Sequence, residues 1–259
     1  MSDPRTVLLR EHHAPAHVLV TGASRGIGLA LVRALLTNPQ VAQLTAVARH
    51  ATRSEALGDL ALADARLQCL DVDVTDETAL AALAGRLRAH HPSLQLVIHA
   101  AGMLHGDGIG PEKSVTQVRR ATLEQVFALN AFAPILLARA LLPLLEGPCV
   151  FASLSARVGS IGDNRLGGWY AYRASKAAQN QLMKTFAIEL ARRNRRGCCL
   201  LLHPGTVDTG LSAPFQANVP AARLFAPERA AAQLLHIIAQ ATPQDSGRFI
   251  AWDGTDIPW

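Results

Sequence analysis

Two tyrosines occur in the 259 residues, Tyr170 and Tyr172, and one of the three lysines, Lys176, follows Tyr172 by four positions. On a helix that spacing stacks the two side chains one turn apart on a single face. The other basic residues are arginines, so lysine has been kept where the two are not interchangeable. A compact ammonium on a flexible stem can sit beneath a phenol and stabilise its phenolate. The chemistry open to such a pair is proton transfer, with Tyr172 as acid or base and Lys176 lowering its pKa from a free value of about 10. An exposed tyrosine and a solvated lysine on an ordinary amphipathic helix would show the same spacing, so the surrounding elements must decide.

The apolar run His17-Val18-Leu19-Val20 leads into Thr21-Gly22-Ala23-Ser24-Arg25-Gly26-Ile27-Gly28, and residues 29–36 then have helical period. Strand, glycine turn and helix form the context of a phosphate-binding loop. Gly22 permits a tight exit from the strand, while Gly26 and Gly28 remove side chains where backbone must approach a pyrophosphate. The helix then offers unpaired N–H groups and the positive end of its dipole. A second strand, 44–48, ends at Arg49, twenty-one residues after Gly28. An acidic residue there would suit a free ribose 2′-hydroxyl, and arginine suits a 2′-phosphate. With Arg25 inside the loop, two guanidiniums could flank that phosphate, which makes NADP(H) the expected cofactor.

The alternation continues with strands at 66–70, 94–98, 149–154, 198–202 and 249–251, and with helices at about 76–90, 122–146, 170–195 and 227–241. Pro134 is expected to kink or split the helix that contains it. Nearly continuous apolar strands alternating with helices mean a parallel sheet covered on both faces. Ligands of such sheets bind beyond the carboxyl ends of the strands, where the Gly22 loop, Arg49, Asp73, Ala101-Gly102, Ser155 and Pro204-Gly205 all fall. We expect one domain over 16–259, preceded by a short leader at 1–15.

Composition narrows the function classes. The formal charge is +5 and the pI about 9.4, but the one dense basic run, 192–196, follows a helical pattern and precedes Gly197, where a helix end favours positive charge. No aromatics accompany it to stack bases, so nucleic acid is not an expected partner. No run of eighteen uninterrupted apolar residues suggests a membrane span. Cys69, Cys149, Cys198 and Cys199 lie in apolar runs without a metal-ligand spacing, which suits buried thiols in a reducing, cytoplasmic setting and no metal site.

Together the glycine loop TGASRGIG, Asp73-Val74, Asn130, Tyr172 with Lys176 and the segment PGTVDT resemble the short-chain dehydrogenase/reductase superfamily from about residue 16 to the C-terminus. The stretches LSARVGSI, GGWYAYRASK and AWDGTDIPW resemble its C-factor-like and sniffer-like carbonyl reductase branch. The resemblance implies a Rossmann-type sheet of seven strands in order 3-2-1-4-5-6-7, and hydride transfer between a nicotinamide and a carbonyl or alcohol. It further implies that Asp73 and the Val74 backbone hold the adenine, and that Ala101-Gly102 and Pro204-Gly205 belong to the cofactor site. Thr206, Val207 and Thr209 would contact the nicotinamide end. Lys176 would also bind the nicotinamide ribose, and Asn130 would hold a water relaying protons to Lys176. A catalytic serine is implied at the end of the fifth strand; alternation puts Ser153 and Ser155 on one side, and Ser155, nearer the tip, is chosen with Ser153 as the alternative and Ser160 further along. Where the family carries Asn-Asn-Ala-Gly this chain has His99-Ala100-Ala101-Gly102, and His99 reads as structural. Met103, Leu104, His105, Trp169 and the irregular loop 210–225 would wall an apolar substrate pocket. A homodimer or homotetramer is the oligomer implied. The alternative function is a cofactor-binding signalling protein of C-factor type with little turnover.

Overall fold

Largely apolar runs of three to eight residues make the strands of the main sheet because both faces of each are covered. The computed structural model describes residues 7–259 apart from 11, 13, 92, 107 and 218. Its strands are β1 (Ala16–Thr21), β2 (Val41–Ala48), β3 (Leu67–Asp71), β4 (Leu96–His99), β5 (Cys149–Leu154), β6 (Gly197–His203), β7 (Thr206–Val207), β8 (Leu224–Phe225) and β9 (Phe249–Ala251). The helices are α1 (Gly26–Leu36), α2 (Glu55–Ala63), α3 (Glu77–His90), α4 (Arg120–Phe127), α5 (Ala133–Leu141), α6 (Tyr170–Arg193) and α7 (Pro227–Gln240). Seven strands form one parallel sheet in the order β3-β2-β1-β4-β5-β6-β9, while β7 and β8 pair only with each other. The expected order therefore holds, with β9 as the seventh strand.

Alternation along the strands divides the core in two. Val18, Val20, Ile98 and Leu200 face α1 and α7, where Leu31, Leu35, Leu234 and Ile238 are buried. Leu19, Val97, Phe151 and Leu201 face α3, α5 and α6, meeting Leu83, Leu137, Met183 and Phe186. The described part of the N-terminal segment joins the first half: Leu8 and Leu9 are buried and the Arg10 N–H donates to the Ala239 carbonyl. Of the leader expected over 1–15, residues 1–6, 11 and 13 lie outside the described residues.

The long helix expected over 122–146 is divided. A π-turn at Ala128–Phe132 separates α4 from α5, and Pro134 takes one of the first two positions of α5, where its missing N–H is harmless. The ladder changes at Asn130, just before the proline. This stretch, Arg120–Leu144, is apolar enough by composition to cross a membrane. Its buried residues Leu137, Ala138 and Leu141 instead pack inside the core.

Candidate active site

The glycine loop is built by close approach. A Cβ on Gly28 would lie 2.1 Å from the Gly22 carbonyl oxygen, and one on Gly22 would lie 2.6 Å from the Ala101 nitrogen. Gly22 and Gly26 have φ of +69° and +54°, a region that favours glycine. A Cβ on Gly26 would come within 3.2 Å of the Thr209 methyl group. Three segments distant in sequence thus meet: the turn after β1, the exit of β4 at Ala101-Gly102, and the segment from Pro204 to Thr209. Arg25 caps α1 with extended backbone and no side-chain bond, so no side chain competes for the first-turn N–H groups. Ile27 packs against the core and anchors that turn.

The segment after β6 is braced from behind. Gly205 (φ +82°) lies so close to Phe225 that a Cβ would meet its ring at 2.7 Å. Phe225 packs edge-on against Trp252 at 4.7 Å, and the Arg229 guanidinium stacks 4.1 Å above Phe225. Val207 pairs with Phe225 in the β7–β8 ribbon.

Arg25 and Arg49 are both exposed at the rim. Asp73 lies within electrostatic reach of Arg49; burial works against its ionisation, but bonds from Thr75 and the Arg49 charge offset this and hold the carboxyl below its usual range. Its Oδ1 accepts from the Thr75 N–H at 2.9 Å and hydroxyl at 2.7 Å. Val74 is buried in the core beside it. Sequence reasoning missed Ser54, whose hydroxyl donates to the Ser24 carbonyl at 3.5 Å and ties the stretch after β2 to the glycine loop.

Tyr172 and Lys176 lie on α6 as the spacing predicts, with Nζ 5.9 Å from the centre of the phenol ring. Both are buried, at 9% and 4% exposure. Burial is the leading influence on each: it pushes the phenol above its ordinary range and draws the amine down to about 7. Loss of water disfavours the charged form of both groups, so in the chain alone burial moves the phenol and the amine in opposite directions. Lys176 Nζ donates to the Leu154 carbonyl at 3.0 Å and to Gln179 Oε1 at 2.8 Å.

Asn130 is fully buried on the π-turn. Its Oδ1 accepts from the Met103 N–H at 2.8 Å, and its Nδ2 donates to the Met103 carbonyl at 2.8 Å and to Ser175 Oγ at 3.1 Å. Asn130 therefore ties the loop after β4 to α6. Gly102 sits between it and Lys176: a Cβ there would be 3.4 Å from Asn130 Oδ1 and 3.7 Å from Lys176 Nζ.

Ser153 and Ser155 both reach α6, as alternation requires, but neither is bonded to Tyr172. Ser155 Oγ donates to Asn180 Oδ1 at 2.6 Å, and Ser153 Oγ accepts from Gln179 Nε2 at 2.8 Å. Asn180 lies eight residues beyond Tyr172, about 12 Å along the helix axis. Ser160 Oγ accepts from the Asp163 N–H at 3.1 Å. His99 is fully buried with Nδ1 2.9 Å from Thr21 Oγ1, a structural placement.

An aromatic wall stands over Tyr172. Trp169 meets the Tyr172 ring edge-on at 6.2 Å and Phe215 at 5.1 Å, and Phe215 meets His105 at 5.7 Å. His105 Nε2 lies 3.0 and 3.1 Å from the Gly210 and Leu211 carbonyls, so the loop after β4 clasps the segment after β7. Glu112, buried at 3% exposure, accepts the Ala171 N–H at 3.1 Å through Oε2 and so caps α6 from outside the helix. Trp169 has φ of +53°, alone among the described non-glycine residues in being positive.

Comparison with known proteins gives these features a context. The family model described as short chain dehydrogenase matches residues 16–220. The chain is 35% identical over 242 residues to 1-hydroxy-2-glutathionyl-2-methyl-3-butene dehydrogenase of Rhodococcus sp. (strain AD45), covering 93% of this chain and 99% of that one. Among solved structures, the carbonyl reductase Sniffer of D. melanogaster superposes with a TM-score of 0.84 at 28% identity, over 95% of this chain and all of that one (100%). The NADPH-bound carbonyl reductase from chicken fatty liver gives the same values, 0.84 and 28%, with 95% and 100% coverage.

Proposed function

Because the chain belongs to the short-chain dehydrogenase family, we propose that it is an NADP(H)-dependent oxidoreductase that moves a hydride between the nicotinamide and a carbonyl or alcohol, with Tyr172 as proton donor and acceptor. The observation that carries this reading is the burial of Tyr172 and Lys176 beside Gly102, whose neighbour Ala101 packs on the glycine loop. A redox cofactor and a proton source would then share one rim. The cradle fits a dinucleotide: Gly22, Gly26 and Gly28 leave no room for side chains, and the α1 N-terminus offers N–H groups to a pyrophosphate.

Arg49 and Arg25, with Ser24 and Ile27 shaping the loop between them, would meet a ribose 2′-phosphate, and Asp73 and the Val74 backbone the adenine side. Pro204, Gly205, Val207 and Thr209 would bound the nicotinamide end. A bound nicotinamide would supply the hydride. In reduction, Tyr172 would give its proton to the carbonyl oxygen and be left as a phenolate. A phenol held protonated by burial is in the right resting state to donate. The Lys176 charge would then offset the phenolate and pass a proton back to it from solvent, while Asn130 holds the loop and helix in register. Trp169, Phe215 and His105 favour an apolar, ring-bearing carbonyl compound. NADPH-bound carbonyl reductase as a structural neighbour supports the same direction.

The test is a binding titration of NADPH and NADH with wild type and Arg49→Asp, followed by an NADPH-oxidation panel of aldehydes, ketones and quinones. We expect wild type to prefer NADPH, and Arg49→Asp to weaken NADPH by about tenfold or more through loss of a charge-assisted pair. A wild-type preference for NADH would contradict the NADP(H) assignment. Tight binding without turnover of any carbonyl would instead support a signalling role.

A further inference from the structure

Lys176 has to remain an ammonium in a dry site. Its amine has two acceptors, the Leu154 carbonyl and Gln179 Oε1. Gln179 is itself fully buried, and its amide nitrogen donates to Ser153 Oγ at 2.8 Å and to the Leu154 carbonyl at 3.2 Å. A carbonyl can only accept, and an ammonium can only donate, so the two neighbours fix which end of the Gln179 amide faces which. The amide cannot turn over without losing both contacts. Ser153 is fully buried and stands in register with His99 on β4, which is in register with Thr21 on β1. The polar line behind Lys176 therefore starts in the middle of the sheet.

We propose that Gln179 is a positioning residue for the proton-transfer pair: its side-chain oxygen, held in place by Ser153 and the Leu154 carbonyl, keeps the Lys176 amine protonated and fixed where it stands, 5.9 Å from the centre of the Tyr172 ring. This rests on the assignment of Tyr172 and Lys176 made above. The titratable groups facing the amine are Tyr172 from its own helix and His99 from β4, whose imidazole is held neutral by burial and by the Lys176 charge. Asn130, Ser153 and the Leu154 carbonyl are uncharged, so no carboxylate among these neighbours takes over if the amide is removed. Burial already draws the amine down to about 7, which leaves it sensitive to the loss of one acceptor.

With only three lysines in the chain, Lys113, Lys176 and Lys184, the amine can be followed directly. Lysine is labelled with carbon-13 in the full chain, and the Lys176 resonance is assigned by elimination with Lys113→Arg and Lys184→Arg. Its titration midpoint is read with and without NADP+ in wild type, Gln179→Met and Gln179→Glu. Gln179→Met should lower the midpoint by about one to two pH units, the equivalent of one hydrogen bond to a charged group. Gln179→Glu keeps the shape and supplies an anionic acceptor, so it should raise the midpoint, and the pH profile of turnover should follow each variant. If Gln179→Met fails to fold, Gln179→Glu decides alone. An unshifted midpoint in a folded variant overturns the proposal, since an amide that only fills space would leave the amine unchanged. The reading is taken on the amine itself; full turnover by Lys176→Met would sink the catalytic assignment while leaving the titration result standing.

Discussion

At Tyr172 and Lys176 two physical influences oppose each other. Proximity of an ammonium favours a phenolate, and burial disfavours any charge on either group. Burial pushes the Tyr172 phenol above its ordinary range and draws the Lys176 amine down to about 7. The same scale decides the serines. Ser155 Oγ donates a hydrogen bond to Asn180 Oδ1, and on that ground we propose Tyr172 alone as the proton donor to a substrate oxygen. Ser155→Ala should therefore reduce turnover by no more than a few-fold while lowering stability by about 1 kcal/mol, the net worth of a buried bond. Steady-state kinetics and urea unfolding of that variant check both numbers. A loss of a hundredfold or more in turnover would place the Ser155 hydroxyl on the substrate.

Among the elements, α6 carries Tyr172 and Lys176, the pair proposed for proton transfer, and its beginning is set by other parts of the chain. Trp169 enters it in a left-handed conformation, at a penalty of about 1–2 kcal/mol. That turn brings the indole back over Tyr172. No side chain within the helix caps it, and Glu112 does so from the loop between β4 and α4. Glu112→Ala should lose about 1–2 kcal/mol, as for other lost caps, together with the favourable placement of an anion at a helix N-terminus. Glu112→Gln keeps an acceptor and should lose less. Denaturant midpoints of the two variants test this, and equal stability in both would show that the carboxyl oxygen is not holding the helix. The π-turn at Asn130 serves the other side of the site: it directs one amide to both Met103 and Ser175, joining loop to helix.

For the whole molecule, the fully buried His99 and the partly buried His203 make stability depend on pH. His99 and His203 have pKa values lowered to about 3 and about 4, chiefly by burial, from ordinary values near 6.5. Between those limits the unfolded chain binds the proton and the folded chain does not, so stability rises with pH there and is lost on acidification from 6.5 towards 4. The loss should be on the order of a few kcal/mol. Unfolding midpoints across that range measure it, and His99→Asn should flatten the curve; a flat wild-type curve would contradict the placement. Much of this architecture was legible in the sequence, because strand–glycine turn–helix patterning and nearly continuous apolar strands each have few physical solutions. The Tyr172/Lys176 spacing and the glycine loop were legible for the same reason, whereas the expected walls at Trp169 and His105 came with the family resemblance. What was not legible depends on side chains meeting across elements. Gln179 reads as an ordinary helical residue until Ser153 and Leu154 are brought beneath it, and Glu112 reads as a loop carboxylate until α6 begins beside it. The partner of Ser155 likewise follows from helix placement, which strand alternation does not specify. The account as a whole stands on proton donation by Tyr172, and single-turnover mixing of the NADPH-loaded chain with an aromatic ketone, in wild type and Tyr172→Phe, tests it most directly. The account predicts NADPH affinity within a few-fold of wild type and a turnover rate reduced by about 10²–10⁴-fold; wild-type turnover in Tyr172→Phe would contradict it.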